Sequence, residues 1–351
     1  MKKSILDYFK LLISVLTITA CSSTKDVTIQ TTRPADITFP PSIQTILIID
    51  RTEYDSDAAS IIEGFLTGEL LDEDNFGTQE LINGIRTQMR YSSRFDVKLA
   101  SERLKGNSLT SVFPEQLPWK IVRAFCEKYD AQLVVAVEIF DSDFIITDGV
   151  KKVKKKRKIE GKEREVEVNE YYAEGLANVT IGIRVYDPEN NMIVDQEVIN
   201  KTNTWDAKGN SLQDAFKHLI EKNDATGYLS KRVGTNYAYK IAPMPISITR
   251  SYESESDETP ELALGARNAE VGKWKEAIEV WKSAVAKAPK EDAGYLTNNI
   301  AVGYEVLGDF DSALRWAEKS YVKYGNEDAL DYVELLQARV EDEVQVRQQF
   351  E

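Results

Sequence analysis

The run Ile46-Leu47-Ile48-Ile49 decides the fold of the first part of this chain. Four consecutive branched apolar residues are typical of a β-strand that is covered on both faces. A second run of this kind occupies residues 133–140, and helical patterns occupy residues 78–89 and 119–129. Strands that alternate with helices indicate a layered α/β domain.

The next segment adds an antiparallel hairpin and a further helix. Apolar and polar residues alternate over 179–185, Asp187-Pro188-Glu189-Asn190-Asn191 has the composition of a turn, and residues 192–199 return as a strand. Ser211-Leu212-Gln213-Asp214 resembles a capping box at the start of a helix. We therefore predict one mixed α/β sandwich domain over residues 43–250.

Beyond residue 260 the pattern is wholly helical and it repeats. Gly272-Lys273-Trp274-Lys275-Glu276-Ala277 matches Gly308-Asp309-Phe310-Asp311-Ser312-Ala313 at an interval of 36 residues. These residues resemble tetratricopeptide repeats, whose unit is two antiparallel helices. The predicted fold class is thus α+β/α, a mixed α/β sandwich domain followed by an all-α tetratricopeptide-like helical repeat module. We place a linker at residues 251–259, the module at 260–351, and a capping helix at its end.

The resemblance implies a protein partner, because arrays of this kind bind peptides or partner helices in a concave groove. Five aromatic residues could line such a groove: Trp274, Trp281, Tyr304, Phe310 and Trp316. At these repeat positions aromatic residues more often pack between the helices, so both interpretations stay open. Residues 258–351 carry 19 acidic and 11 basic side chains, which suits a basic partner segment.

The N-terminus resembles the signal sequence of a bacterial lipoprotein. Lys2 and Lys3 precede a short apolar run at residues 11–18, and Ile18-Thr19-Ala20-Cys21 resembles a lipobox. The apolar run is much shorter than the ~20 residues of a membrane-spanning helix. The resemblance implies a signal peptide at residues 1–20 and a membrane anchor of acyl chains on Cys21. We predict a polar tether over residues 21–42, with the α/β domain nearest the membrane.

Two features of the lipobox region bear on localisation. Ser22 rather than aspartate follows Cys21, which by analogy with lipoprotein sorting rules favours the outer membrane. Residues 22–26 hold only one acidic side chain, a poor match to the acidic tags of surface lipoproteins. We therefore expect a lipid-anchored protein of the outer membrane that faces the periplasm, with exposure at the cell surface as the alternative.

The order of features across residues 33–250 carries a wider resemblance. Arg33-Pro34-Ala35-Asp36, Leu81-Ile82-Asn83-Gly84-Ile85-Arg86 and Ile241-Ala242-Pro243 stand in an order similar to an uncharacterised family of Bacteroidetes-type lipoproteins with C-terminal tetratricopeptide repeats. More distantly, the α/β part resembles the periplasmic domain of curli-secretion-like lipoproteins and of lipoprotein activators of cell-wall synthases. Those are assembly and docking domains, so the resemblance implies no enzymatic activity and no catalytic residues.

One strongly basic segment interrupts an otherwise acidic chain. We expect it to cap an extended hairpin near residues 145–175 and to project into solvent. It could contact anionic lipid, lipopolysaccharide or an acidic partner, or be a solvated loop neutralised by Glu160, Glu163, Glu165 and Glu167. The predicted basic surface patch comprises Lys151, Lys152, Lys154, Lys155, Lys156, Arg157 and Lys158.

Composition excludes several other classes of function. The net charge of -14, which becomes -16 without the signal peptide, argues against nucleic acid. With His218 as the one histidine and Cys126 as the one cysteine besides Cys21, we expect no disulfide, no metal, no cofactor and no His-dependent nucleophile.

Cys126 lies on an apolar helical stripe, and His218 is expected to be structural or exposed. Phe76 stands where a calcium loop needs an oxygen ligand and Asn83 where it needs a bidentate glutamate, so the acidic start at residues 72–77 predicts no calcium site.

These observations favour a lipid-anchored, non-enzymatic adaptor or scaffold of the cell envelope. One alternative is a protein that binds anionic lipid or glycan through the basic hairpin. A second is a carboxylate-based hydrolase, because several aspartates lie near predicted strand ends. These aspartates are Asp50, Asp55, Asp57, Asp141 and Asp143.

Overall fold

The computed structural model describes residues 24–54, 71–107, 112–159 and 161–351. The predicted signal peptide and Cys21 lie outside these residues. The chain forms two compact units. Among the described residues, the α/β unit comprises those of Thr32–Pro245 and Gln345–Glu351, and the helical unit comprises those from Thr24 to Thr31 together with Ile246–Val344. Within the described ranges, no helix has the length and apolar character needed to cross a membrane.

A five-stranded mixed sheet forms the centre of the α/β unit. The strands are β2 (Thr45–Tyr54), β3 (Asp96–Asn107), β4 (Leu133–Ile159), β5 (Lys162–Asp187) and β6 (Met192–Gly209). They lie in the order β3-β2-β4-β5-β6, with β2 parallel to both β3 and β4, and β5 antiparallel to β4 and β6. The predicted fold class of this part is confirmed.

Helices cover both faces of the sheet, and the run 46–49 shows why. The helices of the unit are α1 (Leu71–Met89), α2 (Trp119–Tyr129), α3 (Leu212–His218) and α4 (Lys222–Ile241). Ile46 and Ile48 face a core shared with α1 and α4, whereas Leu47 and Ile49 face a second core with α2. Cys126 lies in this second core, as its apolar stripe predicts.

A two-stranded sheet of β1 (Thr24–Arg33) and β7 (Met244–Glu253) accompanies the helical unit. Residues 24–33 were expected to be a structureless tether, but they form a strand. The three prolines that suggested a tether all follow it, whereas β1 itself is rich in threonine, valine and isoleucine, which favour strands. Likewise, residues 251–253 belong to β7 rather than to a linker.

Five helices complete the helical unit and confirm its predicted all-α character. The helices are α5 (Pro260–Glu270), α6 (Trp274–Ala284), α7 (Lys290–Val306), α8 (Phe310–Tyr324) and α9 (Asp328–Phe350), of which α9 contains the predicted capping helix. Gly272 and Gly308, which are 36 residues apart, both have a φ of +77° just before α6 and α8. A side chain would strain this left-handed conformation, so the two glycines mark equivalent turns of a structural repeat.

Candidate partner-binding groove and basic hairpin

The five aromatic residues predicted to contact a partner lie within or against the packing of the helices. Trp281 is fully buried, and its indole N–H donates to the carbonyl of Leu262 at 3.3 Å. Trp274 is buried in the same core, and Tyr304 and Trp316 pack against it. Phe310 is half-buried below the guanidinium of Arg339, whose carbon lies 5.3 Å from the ring centroid. These positions match the helix-packing interpretation.

Strand β7 packs against the helices at these aromatic residues. The ring of Tyr252 meets Trp274 edge-on, with 5.7 Å between ring centroids, and lies 6.0 Å from Trp281. On α7, the Asn299 side chain accepts the backbone N–H of Glu253 at 2.9 Å and donates to its carbonyl at 2.6 Å. One asparagine thus satisfies both backbone groups of an extended residue. Part of the groove predicted for a partner is therefore filled by the chain itself.

A buried carboxylate fastens β7 further along the same helix. Glu305 has no exposed side-chain surface and accepts hydrogen bonds from Arg250 Nε and Nη2 at 2.9 and 3.1 Å. The Tyr332 hydroxyl donates to Glu305 at 2.7 Å. Burial, together with this carboxylate, raises the pKa of Tyr332 above its ordinary value.

An open cavity of about 320 Å³ remains beside β7, bounded by α7 and α9. It shares Tyr295 with a second cavity of about 430 Å³, and acidic side chains dominate the charge along the two. Among the described residues, the Oδ1 atom of Asn298 in this wall is buried without a hydrogen-bond partner. We call these two cavities the open groove. Its acidic residues are Glu253, Glu291, Glu327, Asp328 and Asp331, against the cations Arg250 and Lys290.

Sequence reasoning missed the asparagines that carry this geometry. Asn298 and Asn299 are consecutive inside a helix, where asparagine is a poor helix former. Such a pair in a helix interior is a signal of a role beyond helix formation. Which of the two contacts β7 depends on the long-range packing of a strand 46 residues away, and that packing is not encoded locally.

The basic hairpin is formed by the distal halves of β4 and β5, in unbroken antiparallel register from residue 139 outward. Directly opposed residues share a face of such a ribbon, and neighbours along a strand alternate between faces. The single patch predicted from sequence is therefore divided. Lys152, Lys154, Lys156 and Lys158 share one face, the paired face, with Glu163, Glu165 and Glu167.

The other face of the hairpin, the basic face, has a different composition. Besides Lys151, Lys155 and Arg157 it holds two cations outside the predicted patch, Lys162 and Arg164. Its one acidic residue at the described tip is Glu170, which lies 3.0 Å from Lys155 and 3.5 Å from Lys208. Val153, Ile159, Val166 and Val168 lie between the cations. Of the four glutamates expected to neutralise the loop, Glu160 lies outside the described residues and the other three lie on the paired face.

Of the aspartates proposed for a hydrolase, the structure describes Asp50, Asp141 and Asp143. Asp50 is bound by Arg103 Nε at 2.8 Å and by the Thr52 hydroxyl at 2.7 Å. Asp55 and Asp57 lie outside the described residues, and Asp143 is exposed on β4 near Asp141. Across the described part of the chain, no group of three or more His, Cys, Asp or Glu side chains could hold a metal ion.

A buried polar cluster in the sheet was not predicted. Glu138 is fully buried, with Arg51 Nη1 at 3.0 Å and Arg184 Nη1 at 2.7 Å from its carboxylate oxygens. The Tyr186 hydroxyl donates to it at 2.6 Å. A glutamate inside the apolar run 133–140 was the available signal, since a charge at such a position requires partners.

Cys126 and His218 are the two residues that could have indicated reactive chemistry, and the first is buried whereas the second is exposed. Burial raises the pKa of the Cys126 thiol to about 11, which keeps it protonated at neutral pH. His218 is exposed on α3, with Nδ1 2.7 Å from the carbonyl oxygen of Asp214.

Two family models match the chain. One, described as Domain of unknown function (DUF8603), matches residues 43–252, and another, Domain of unknown function (DUF6340), matches residues 263–338. No curated protein matches the chain.

Several solved structures are similar in part. The PelC dodecamer protein of Paraburkholderia phytofirmans is 13% identical with a TM-score of 0.23, over 62% of this chain and 99% of that one. The hypothetical protein CT253 of Chlamydia trachomatis is 11% identical with a TM-score of 0.25, over 56% and 96%. A neuraminyllactose-binding hemagglutinin homolog of Helicobacter pylori is 10% identical with a TM-score of 0.23, over 57% and 81%. At these scores the structures contribute nothing to the functional argument. The family model that covers more than half of the chain places this protein in the DUF8603 family.

Proposed function

We propose that this protein is a lipid-anchored, non-enzymatic adaptor of the bacterial outer membrane that faces the periplasm and holds an extended, basic segment of a protein partner. In this proposal the helical unit is a divergent tetratricopeptide array. The observation that carries the proposal is the open groove beside β7, in which the buried Oδ1 atom of Asn298 lacks a donor. Cavities of about 300–1,000 Å³ are typical of binding sites.

The chain itself supplies an example of how an extended segment is held. Asn299 binds the backbone of Glu253 with both of its side-chain groups, and Glu305 binds the side chain of Arg250. Asn298 immediately precedes Asn299 on the same helix and lines the open groove. A partner backbone that lies beside β7 would provide the N–H donor that Asn298 lacks. Leaving a buried acceptor unpaired costs ~1–3 kcal/mol, so the site favours an occupant with donors.

Electrostatics favours a basic segment. Asp328, Asp331, Glu291 and Glu327 line the open groove, and Lys290 is the one lysine among them. Tyr295 donates to Glu291 at 2.9 Å, and this bond raises the pKa of Tyr295 to about 12, so the hydroxyl keeps its proton at neutral pH. An acidic wall accelerates encounter with a cationic partner and rejects an acidic one.

The proposed anchor gives this groove a defined location. Strand β1 begins at Thr24, three residues after Cys21. Three residues span at most ~11 Å. If Cys21 carries the acyl chains, the helical unit is held at the membrane surface, where the sequence had suggested the α/β domain. Confinement to a membrane layer raises the effective concentration of the groove near membrane partners.

The test is affinity capture with the tagged full-length lipoprotein from mild-detergent membrane extracts. One variant carries Asn298→Ala and Asp331→Asn in the open groove. Its matched control carries Glu318→Gln and Glu334→Gln, two exposed helical positions outside both cavities. The groove variant loses one hydrogen bond and one charge interaction, about 2 kcal/mol together, so recovery of the partner should fall at least tenfold.

The control variant should recover the partner as the unmodified chain does, because its changes remove two charges without altering the groove. Both variants should unfold at the same urea concentration as the unmodified protein. Equal recovery of every associated protein by all three chains would contradict the proposal.

A further inference from the structure

The two faces of the basic hairpin differ in net charge by far more than their sequence suggests. At the described tip, from residue 151 to residue 172 and with Lys208 on the adjacent strand, the basic face carries Lys151, Lys155, Arg157, Lys162, Arg164 and Lys208 against one acid, Glu170. On the paired face, four lysines stand opposite three glutamates and one asparagine. From this division we propose that the basic face binds the surface of an anionic phospholipid bilayer.

The shape of the hairpin suits contact with a flat surface. Residues 151–159 of β4 are exposed or half-buried in a continuous strand, and nine residues of strand extend ~30 Å. The cations of the basic face are two or four residues apart along β4 and two residues apart along β5, so they project from the same side of the ribbon. Each cation near an anionic membrane surface contributes ~1 kcal/mol, and several together are needed for stable adsorption.

A bound anion would stabilise one cross-strand pair of cations on the basic face. Arg157 stands directly opposite Arg164 in the register, and like charges in opposed positions destabilise a strand pair. The nearest acid on that face in the described tip is Glu170, which opposes Lys151 and lies six positions from Arg164 along β5. A phosphate group between the two guanidinium groups would relieve their repulsion and accept hydrogen bonds from both.

The apolar residues between the cations favour a bilayer over an acidic protein or a soluble polyanion. Val153 faces Val168 across the ribbon, and Ile159, at the very tip, is 38% exposed. Apolar side chains interspersed with lysine and arginine enter the boundary between headgroups and acyl chains, where the cations meet the phosphates. A soluble polyanion offers no such apolar layer.

The test compares two triple variants of the same hairpin. The basic-face variant carries Arg157→Gln, Lys162→Gln and Arg164→Gln, and the paired-face variant carries Lys154→Gln, Lys156→Gln and Lys158→Gln. Both remove three positive charges from the same tip. All chains are full-length and carry Cys21→Ser, so that no acyl chain contributes. Flotation with phosphatidylcholine vesicles, with and without phosphatidylglycerol, gives the partition attributable to the anionic lipid.

The unmodified hairpin should prefer phosphatidylglycerol vesicles, and this preference should fall roughly 100-fold in the basic-face variant. The paired-face variant should change it by less than about threefold, because its lysines already face glutamates. A third variant, with Arg157→Lys and Arg164→Lys, retains the charge and should bind as the parent does, which guards against a misfolded tip. Equal losses in both triple variants would overturn the proposal, as would a preference for dextran sulfate or polyglutamate over vesicles.

Discussion

Two fully buried glutamates, one in each unit, are surrounded by the same kinds of side chain. Glu138 in the α/β unit meets Arg51, Arg184 and the hydroxyl of Tyr186. Glu305 in the helical unit meets Arg250, with Arg339 at 3.9 Å, and the hydroxyl of Tyr332. In both places a carboxylate inside a core is balanced by two guanidinium groups and one phenol, as a buried charge requires.

The two clusters differ in the structural elements that supply the partners of the glutamate. The partners of Glu138 come from β2 and β5, which flank its own strand β4. Glu138 also occupies a β-bulge, because Val137 pairs with Ile183 and Ile139 pairs with Gly182. Arg250, in contrast, lies on β7, which contacts the helices through the side chains of Tyr252, Asn299 and Glu305. The same chemistry therefore secures the register of a sheet in one unit and fastens a strand in a groove in the other.

The largest expected effect comes from Glu138→Ala. The change leaves Arg51 and Arg184 buried without a carboxylate, so the free energy of unfolding of the α/β unit should fall by about 3–5 kcal/mol. Urea unfolding with hydrogen exchange of the amides of residues 46–49 measures it. The control is Glu165→Ala, an exposed position on β5, the strand that pairs with the bulged strand, and this change should stay within about 0.5 kcal/mol. Similar losses in both would mean that the buried cluster contributes no more than surface charge.

Glu305→Gln should have a smaller and more local effect. The amide keeps hydrogen-bonding capacity but removes the charge that holds Arg250, so we expect a loss of about 2–3 kcal/mol in the helical unit. Amides of residues 250–253 should exchange faster, whereas those of residues 46–49 keep their protection. Unchanged exchange in β7 would show that Asn299 and Tyr252 hold the strand without Glu305, and the proposed fastening role would be abandoned.

The fold and the candidate site could be predicted from the sequence only where the deciding residues lie close together in the chain. The strands at 46–49 and 133–140 follow from local apolar runs, and the repeat in the helical unit follows from two glycines with equivalent spacing. The division of the basic hairpin was also encoded locally. Glu163, Glu165 and Glu167 stand two residues apart, so a strand must place them on one face.

The contacts that define the groove could not be obtained in this way. Strand β1 pairs with β7, more than 200 residues away, and its own sequence is polar enough to resemble a tether. The bond between Arg250 and Glu305 spans 55 residues. Neither partner carries a local sign of the other, because polar side chains are compatible with both solvent and a buried pair. Long-range pairing therefore decided which part of the predicted groove stays open.

The smallest expected effect concerns the phenol of Tyr332, whose contribution to the free energy of unfolding should depend on pH. Because burial and Glu305 raise its pKa, the folded state retains the proton above pH ~10, where an unfolded tyrosine releases it. The stabilisation is therefore complete below pH ~10 and is lost as the pH rises further. Tyr332→Phe should cost about 1 kcal/mol at pH 7, and this cost should vanish near pH ~11, since only the unmodified chain loses stability there.

Tyr321→Phe, on the exposed side of α8, is the control and should leave the pH dependence of unfolding unchanged. A cost of Tyr332→Phe that stays constant from pH 7 to ~11 would show that the phenol releases its proton in the folded chain as readily as in the unfolded one, and that Glu305 is not shielded from solvent as Glu138 is.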